Sequence, residues 1–135
     1  MGDPDLPIYV LDTHTLFWYL EYPDRLSPAA DAVFRLAVAG GAHIVEQVIV
    51  VGELFYLTQR LGNAITPSTL LADINRSREF VFSELGQAQL GSMEFIDDVS
   101  EMHDRLIAAE ALTQDAAIVS KDESLHRSRA VEVIW

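Results

Sequence analysis

The chain is 135 residues long, half of them hydrophobic, with no cysteine and a formal net charge of −12 at pH 7. This length suits a single domain over residues 1–135 with one core of its own, and the hydrophobic fraction excludes a disordered polyelectrolyte. The missing thiols exclude disulfides and thiolate metal sites.

Eight arginines and a single lysine, Lys121, stand against 21 acidic residues. Long-range attraction to phosphate therefore has to come from a local basic rim or a bridging cation. No apolar run approaches the length of a membrane span, and Met1-Gly2-Asp3-Pro4-Asp5 lacks the basic and apolar regions of a signal peptide. A cytoplasmic protein is expected, with the absence of cysteine pointing to a reducing compartment.

Ile8 to Leu11 has the character of a short buried strand, and Thr13 to Glu21 that of an amphipathic helix with Leu16, Phe17 and Leu20 on one face. Ser27-Pro28 is a helix start signal, and Gly40-Gly41 a stop. The β-branched run from His43 to Val51 supports a strand near His43 to Glu46, followed by a helix from about Val50 to Leu61. Thr66-Pro67 opens a further helix, and Glu79 to Ser83 is strand-like. Helical patterns follow over Gln87 to Ile96 and His103 to Leu112, then a strand over Ala116 to Ser120, a helical turn over Glu123 to His126 and a strand over Val131 to Trp135. Strands that alternate with helices predict an α/β fold with a mainly parallel sheet, whose ligands lie beyond the carboxyl ends of the strands.

Four acids sit where such a fold can bring them together. Asp12 ends the first strand, Glu53 interrupts an apolar helix, Asp104 opens a helix and Asp122 follows a later strand. Each aspartate alone also reads as a helix cap or first-turn acid, with Ser120-Lys121-Asp122-Glu123 matching a capping box, and Glu53 alone can lie on a solvent face. Together they demand a resolution. Two carboxylates about 5 Å apart repel by roughly 3 kcal/mol at an effective dielectric of 20. A hard cation, Mg²⁺ or Mn²⁺, relieves that repulsion and suits oxygen ligands. The histidines lack the spacing of a zinc helix, and Gly40-Gly41 and Gly52 match no phosphate-binding loop. Trp18, Tyr19 and Tyr22 offer rings to bases or to a partner, or serve as core and rim.

Ile8-Tyr9-Val10-Leu11-Asp12-Thr13-His14 resembles the opening of PIN-domain ribonucleases, and the stretch around Glu53-Leu54 resembles their second acidic position. His103-Asp104-Arg105-Leu106-Ile107-Ala108-Ala109 is similar to the third motif of that family, and Ala117-Ile118-Val119-Ser120-Lys121-Asp122 to its fourth. The order and spacing agree from about Ile8 to Trp135, and the VapC-type toxins of toxin–antitoxin pairs are the nearest group.

The resemblance implies a three-layer α/β/α sandwich and a metal-dependent endoribonuclease acting on structured RNA. It also implies a homodimer and a small antitoxin that blocks the site. Asp12, Glu53, Asp104 and Asp122 would hold Mg²⁺ or Mn²⁺, and Thr13 would orient Asp12 or a water. Arg105 and Lys121 flank two of these acids and offer contacts to phosphate, or form salt-bridging surface cations. The second motif departs from the pattern: relatives often carry Ser or Thr shortly before the glutamate, where Ile49, Val50, Val51 and Gly52 stand here. That departure and the −12 charge motivate an alternative, a catalytically inactive PIN-like module that acts through protein contacts.

Overall fold

The computed structural model describes residues 5–135, so Met1 to Pro4, on which most of the signal-peptide reading rests, lie outside the described residues. Five strands, β1 (Ile8–Leu11), β2 (His43–Gln47), β3 (Phe80–Ser83), β4 (Ala117–Val119) and β5 (Val133–Ile134), form one sheet in the order β3-β2-β1-β4-β5. Every pairing is parallel. The helices α1 (Thr13–Glu21), α2 (Pro28–Val38), α3 (Val48–Arg60), α4 (Pro67–Arg76), α5 (Gln87–Ser92), α6 (Met102–Gln114) and α7 (Glu123–His126) connect the strands.

This order explains the layering. From β1 through β2 to β3 the chain steps one way across the sheet, then crosses back to β4 on the other side of β1. Right-handed crossovers therefore put α1 to α4 on one face and α5 and α6 on the other, giving the α/β/α sandwich expected from the sequence. The reversal lies between β1 and β4, and their carboxyl ends open a crevice there.

Local chemistry sets the element ends. Ser27 and Thr66 cap α2 and α4 by accepting the N–H groups of Ala30 and Thr69, each with proline at the first helical position. Gly40 and Gly62 follow α2 and α3 at φ 87° and 85°, a left-handed conformation in which a Cβ would be strained.

Three element ends differ from the sequence expectation. α3 begins at Val48, because β2 turns straight into it at Gln47 without a loop. Burial of Val50, Val51 and Leu54 outweighs the strand preference of the β-branched run. The weak helix near Gln87 divides into α5 and a 3-10 turn at Met93–Phe95. Only Val133–Ile134 of the last segment pairs with β4.

The core is centred on the sheet, with Leu16, Phe34, Ile44, Leu54, Ile107 and Ile118 all buried to 2 % exposure or less. Of the three rings singled out in the sequence, two belong to this packing: Tyr19 stacks on Phe34 at 3.9 Å between centroids, and Trp18 meets Trp135 at 5.6 Å. Tyr22 remains half exposed.

Candidate active site

At the β1/β4 switch point the four acids arrive from four separate segments. Asp12 is the N-cap of α1, Glu53 lies in the second turn of α3, Asp104 stands in the first turn of α6, and Asp122 caps α7. All four line one cleft of about 230 Å³, together with Thr13, His14, Leu57, Arg60, Glu101 and Ile107.

Asp12 is the most firmly held. Its Oδ1 accepts the N–H of Thr15 at 3.0 Å, and its Oδ2 accepts the hydroxyl of Ser120 at 2.5 Å. Thr15 in turn donates its hydroxyl to the Val119 carbonyl at 2.9 Å, tying the start of α1 to the end of β4. Thr13 donates to Glu53 Oε1 at 3.2 Å, so the hydroxyl beside Asp12 positions the second acid rather than the first.

Ser120 does not cap α7. Asp122 does, accepting the N–H groups of Ser124 and Leu125, while the Ser120 hydroxyl accepts the Asp122 N–H at 3.0 Å. The capping-box reading of Ser120-Lys121-Asp122-Glu123 is corrected accordingly. Ser120 is a fully buried bridge between two acids. Asp104 does not cap α6 either, since Glu101 accepts its N–H at 2.7 Å.

Charge is concentrated in this cleft. Burial raises the Asp104 carboxyl from 3.8 to about 6, with Asp122, Glu101, Asp12 and Glu53 adding repulsion. Burial also pushes Glu53 upward, against the pull of His103 and the Thr13 hydroxyl, and Glu101 and Asp12 add to the rise. Partial burial acts on Asp122 in the same sense, but the donors from Ser124 and Leu125 outweigh it and hold that group below the ordinary aspartate range. The cleft thus contains one acid poised near neutrality beside one held ionised, a separation typical of working sites.

Oxygen donors from these acids suit a hard cation. Among the described residues, however, no three His, Cys, Asp or Glu side chains are grouped so as to hold a metal ion. Mg²⁺ keeps several waters and binds through one or two carboxylates, so it does not require such a group.

The cations divide. Lys121 is exposed and lines a neighbouring depression with Asp12, His14, Trp18 and Asp122. Arg105 donates its Nε–H to the Met93 carbonyl at 2.9 Å and is not part of the cleft lining. Two lining residues escaped the sequence reading, Glu101 and Arg60. Glu101 stands three residues before Asp104, the spacing of a cap, and Arg60 stands seven after Glu53, on the same helical face; either spacing was visible.

Ser120 fixes Asp12 and the backbone of Asp122 at once, so if these acids hold a cation, as the sequence resemblance implies, Ser120→Ala is expected to lower metal-dependent cleavage about 10- to 100-fold, the usual effect of losing a group that orients a ligand. Cleavage rates measured at several Mg²⁺ concentrations, alongside a melting curve, check this. Wild-type rates at every concentration would refute it.

No protein-family model and no curated protein matches this sequence. Solved structures do match in fold. A chain of VapBC2 from Rickettsia felis, bound to a DNA fragment from its promoter, superposes with a TM-score of 0.70 at 16% identity, over 94% of this chain and 97% of that one. A chain of DNA-bound VapBC from Salmonella typhimurium gives 0.68 at 14% identity, over 96% and 98%. A chain of FitAcB from Neisseria gonorrhoeae gives 0.59 at 18%, over 94% and 96%. The fold is therefore the PIN-like sandwich that the sequence motifs imply. No helix among the described residues is long and apolar enough to cross a membrane.

Proposed function

We propose that this chain is a Mg²⁺- or Mn²⁺-dependent endoribonuclease, a VapC-type toxin held in check by a cognate antitoxin. The observation that carries the proposal is the cleft at the β1/β4 switch point, where Asp12, Glu53, Asp104 and Asp122 converge from four segments and Asp104 is driven up to about 6. Its location obeys the rule for ligand sites in open parallel sheets. The fold it shares with chains of toxin–antitoxin complexes supports the antitoxin partner. The same likeness, with the sequence resemblance, motivates a homodimer.

In this reading Asp12 and Asp104 are direct ligands, and Glu53 and Asp122 complete the shell directly or through water. A bound divalent ion supplies Lewis acidity at the phosphate and a water of lowered pKa. The chain supplies the geometry: Thr15 and Ser120 lock Asp12, Thr13 holds Glu53, and the donors at the start of α7 keep Asp122 ionised. Lys121, exposed in the depression beside Asp12 and Asp122, would meet phosphate.

The test is cleavage of structured RNAs by the chain freed of antitoxin. Activity should appear with Mg²⁺ or Mn²⁺, vanish with EDTA and return on adding metal. Absence of metal-dependent cleavage from every RNA tried would sink the proposal. That no three such side chains among the described residues are grouped to hold a metal ion favours a second reading, a PIN-like module acting through protein contacts. Divalent ions that bind only the native state raise its stability, so an unchanged melting temperature on Mn²⁺ addition would select this second reading.

A further inference from the structure

Beside the acidic cleft runs a second groove of about 450 Å³, lined by Ile49, Gly52, Glu53, Tyr56, Arg60 and His103. Five of these form a single stripe along α3, at intervals of three, four, seven and eleven residues. Glu53 and Arg60 belong to both depressions, so the groove continues the cleft.

Three features of the stripe have no explanation within the fold. Gly52 stands in the interior of α3, where glycine weakens a helix. A Cβ added there would meet nothing within 4 Å, and its φ is not positive, so neither packing nor backbone conformation requires a glycine. Its effect is to leave the groove floor open beside Glu53, as at places where a ligand approaches backbone. Tyr56, next along the stripe, is 67 % exposed, with Phe55 its one ring contact among the described residues. Arg60 lines a cleft with five carboxylates yet forms an ion pair with none of them among the described residues.

The geometry points to a nucleotide subsite, in which Tyr56 stacks on a base of single-stranded RNA lying over Gly52 and Arg60 contacts the adjoining phosphate. This deepens the ribonuclease reading and rests on it for the identity of the ligand. Base–aromatic stacking tolerates any sequence, and guanidinium is well suited to phosphate. An unpaired cation beside an aromatic ring, in a chain of net charge −12, complements an anionic polymer at the one place where that polymer has to approach carboxylates. A protein segment is the competing occupant, and the test separates the two.

The full-length chain, freed of antitoxin and held in Ca²⁺, would be titrated with short single-stranded RNAs carrying 2-aminopurine at successive positions. Wild type should quench the probe at one position and bind with a salt-dependent Kd. Tyr56→Ala should abolish that quench and weaken binding on the order of tenfold, whereas Tyr56→Phe should keep both. Gly52→Phe, whose side chain would occupy the groove, should reproduce the Tyr56→Ala loss. Arg60→Ala should lower the slope of log Kd against log salt by about 0.7, the share of one phosphate on a single strand. Wild-type binding and quenching in Tyr56→Ala and Gly52→Phe would overturn the subsite and leave the groove to a protein partner. Failure of the wild type to bind single-stranded RNA would overturn it as well. A wild type that binds through this stripe yet cleaves nothing with Mg²⁺ or Mn²⁺ would instead defeat the nuclease reading and leave the subsite standing.

Discussion

Asp104→Asn is expected to abolish divalent-dependent RNA cleavage while raising the melting temperature of the metal-free protein at neutral pH. The activity loss follows from the proposed ligand role and should exceed about 100-fold, the upper range for loss of a group that only orients a ligand. The stability gain follows from the electrostatics of the cleft. Asp104 is pushed from 3.8 to about 6 by burial and by the acids around it, so the folded state holds its proton more tightly than the unfolded state. Its contribution to stability is therefore complete below about pH 3.8 and is lost as the pH rises through about 6. An asparagine loses nothing across that window.

The full linkage for such a shift is about 3 kcal/mol. Asp104 is only partly buried, and solvent screening reduces this to about 1 kcal/mol, or roughly 3–4 °C for a domain of this size. The favourable field at the start of α6 does not reverse the sign, because Glu101 already supplies a carboxylate there and accepts the Asp104 N–H. Melting curves of both proteins in EDTA from pH 4 to 8 should coincide at the acid end and separate toward neutrality. A difference that does not change with pH, or retained cleavage, would refute the assignment.

Much of this site was legible in the sequence because its parts coincide with element ends. Asp12 follows Val10 and Leu11, and Asp122 follows Ile118 and Val119, none of which has any exposure. Where a parallel strand ends, the next polar residue is delivered to the carboxyl edge of the sheet, and this much can be read without coordinates. Glu53 was harder, since its helix begins inside a β-branched run and only tertiary burial of Val50, Val51 and Leu54 decides the phase.

What stayed hidden was the set of partners. Ser120 has the spacing of a cap, but its hydroxyl turns to Asp12, 108 residues away, because β1 and β4 are neighbours in the sheet. No local pattern encodes that adjacency. Arg105 illustrates the converse. It stands next to Asp104 in sequence, but one helical step turns it toward the Met93 carbonyl and away from the acids. The polar hub on the other face was equally invisible: Gln47, Ser83, Gln89 and Gln114 all donate to the buried carboxylate of Glu110 and join β2 and β3 to α5 and α6.

Glu46→Met is expected to stabilise the protein by about 1–3 kcal/mol, or roughly 4–10 °C, without reducing cleavage. Side chains alternate along β2. Gln47 faces α6, donating to the Leu106 carbonyl at 3.0 Å and to Glu110 at 3.2 Å. Glu46 therefore faces the opposite way, and it is fully buried with no hydrogen-bond partner for either carboxyl oxygen among the described residues. Burial raises its pKa well above 4.5, with Asp12, Glu53 and Glu110 adding repulsion, so the fold favours its neutral form.

A neutral carboxyl without partners still forfeits the hydrogen bonds it had in water, whereas the thioether of methionine, of similar length, forfeits none. The sign with pH is again that of a raised acid: Glu46 costs the fold least below about pH 4.5 and progressively more as the pH rises from there through its elevated value, so the advantage of the methionine should widen over that range. Glu46 does not line the cleft. Cleavage should therefore be preserved. Melting temperatures from pH 6 to 9, with cleavage assayed on the same samples, separate two cases. A more stable, active Glu46→Met marks the buried acid as a cost the fold tolerates. A destabilised or inactive variant would mean that Glu46 acquires a partner when a cation enters the site, and would move it from the core into the ligand shell.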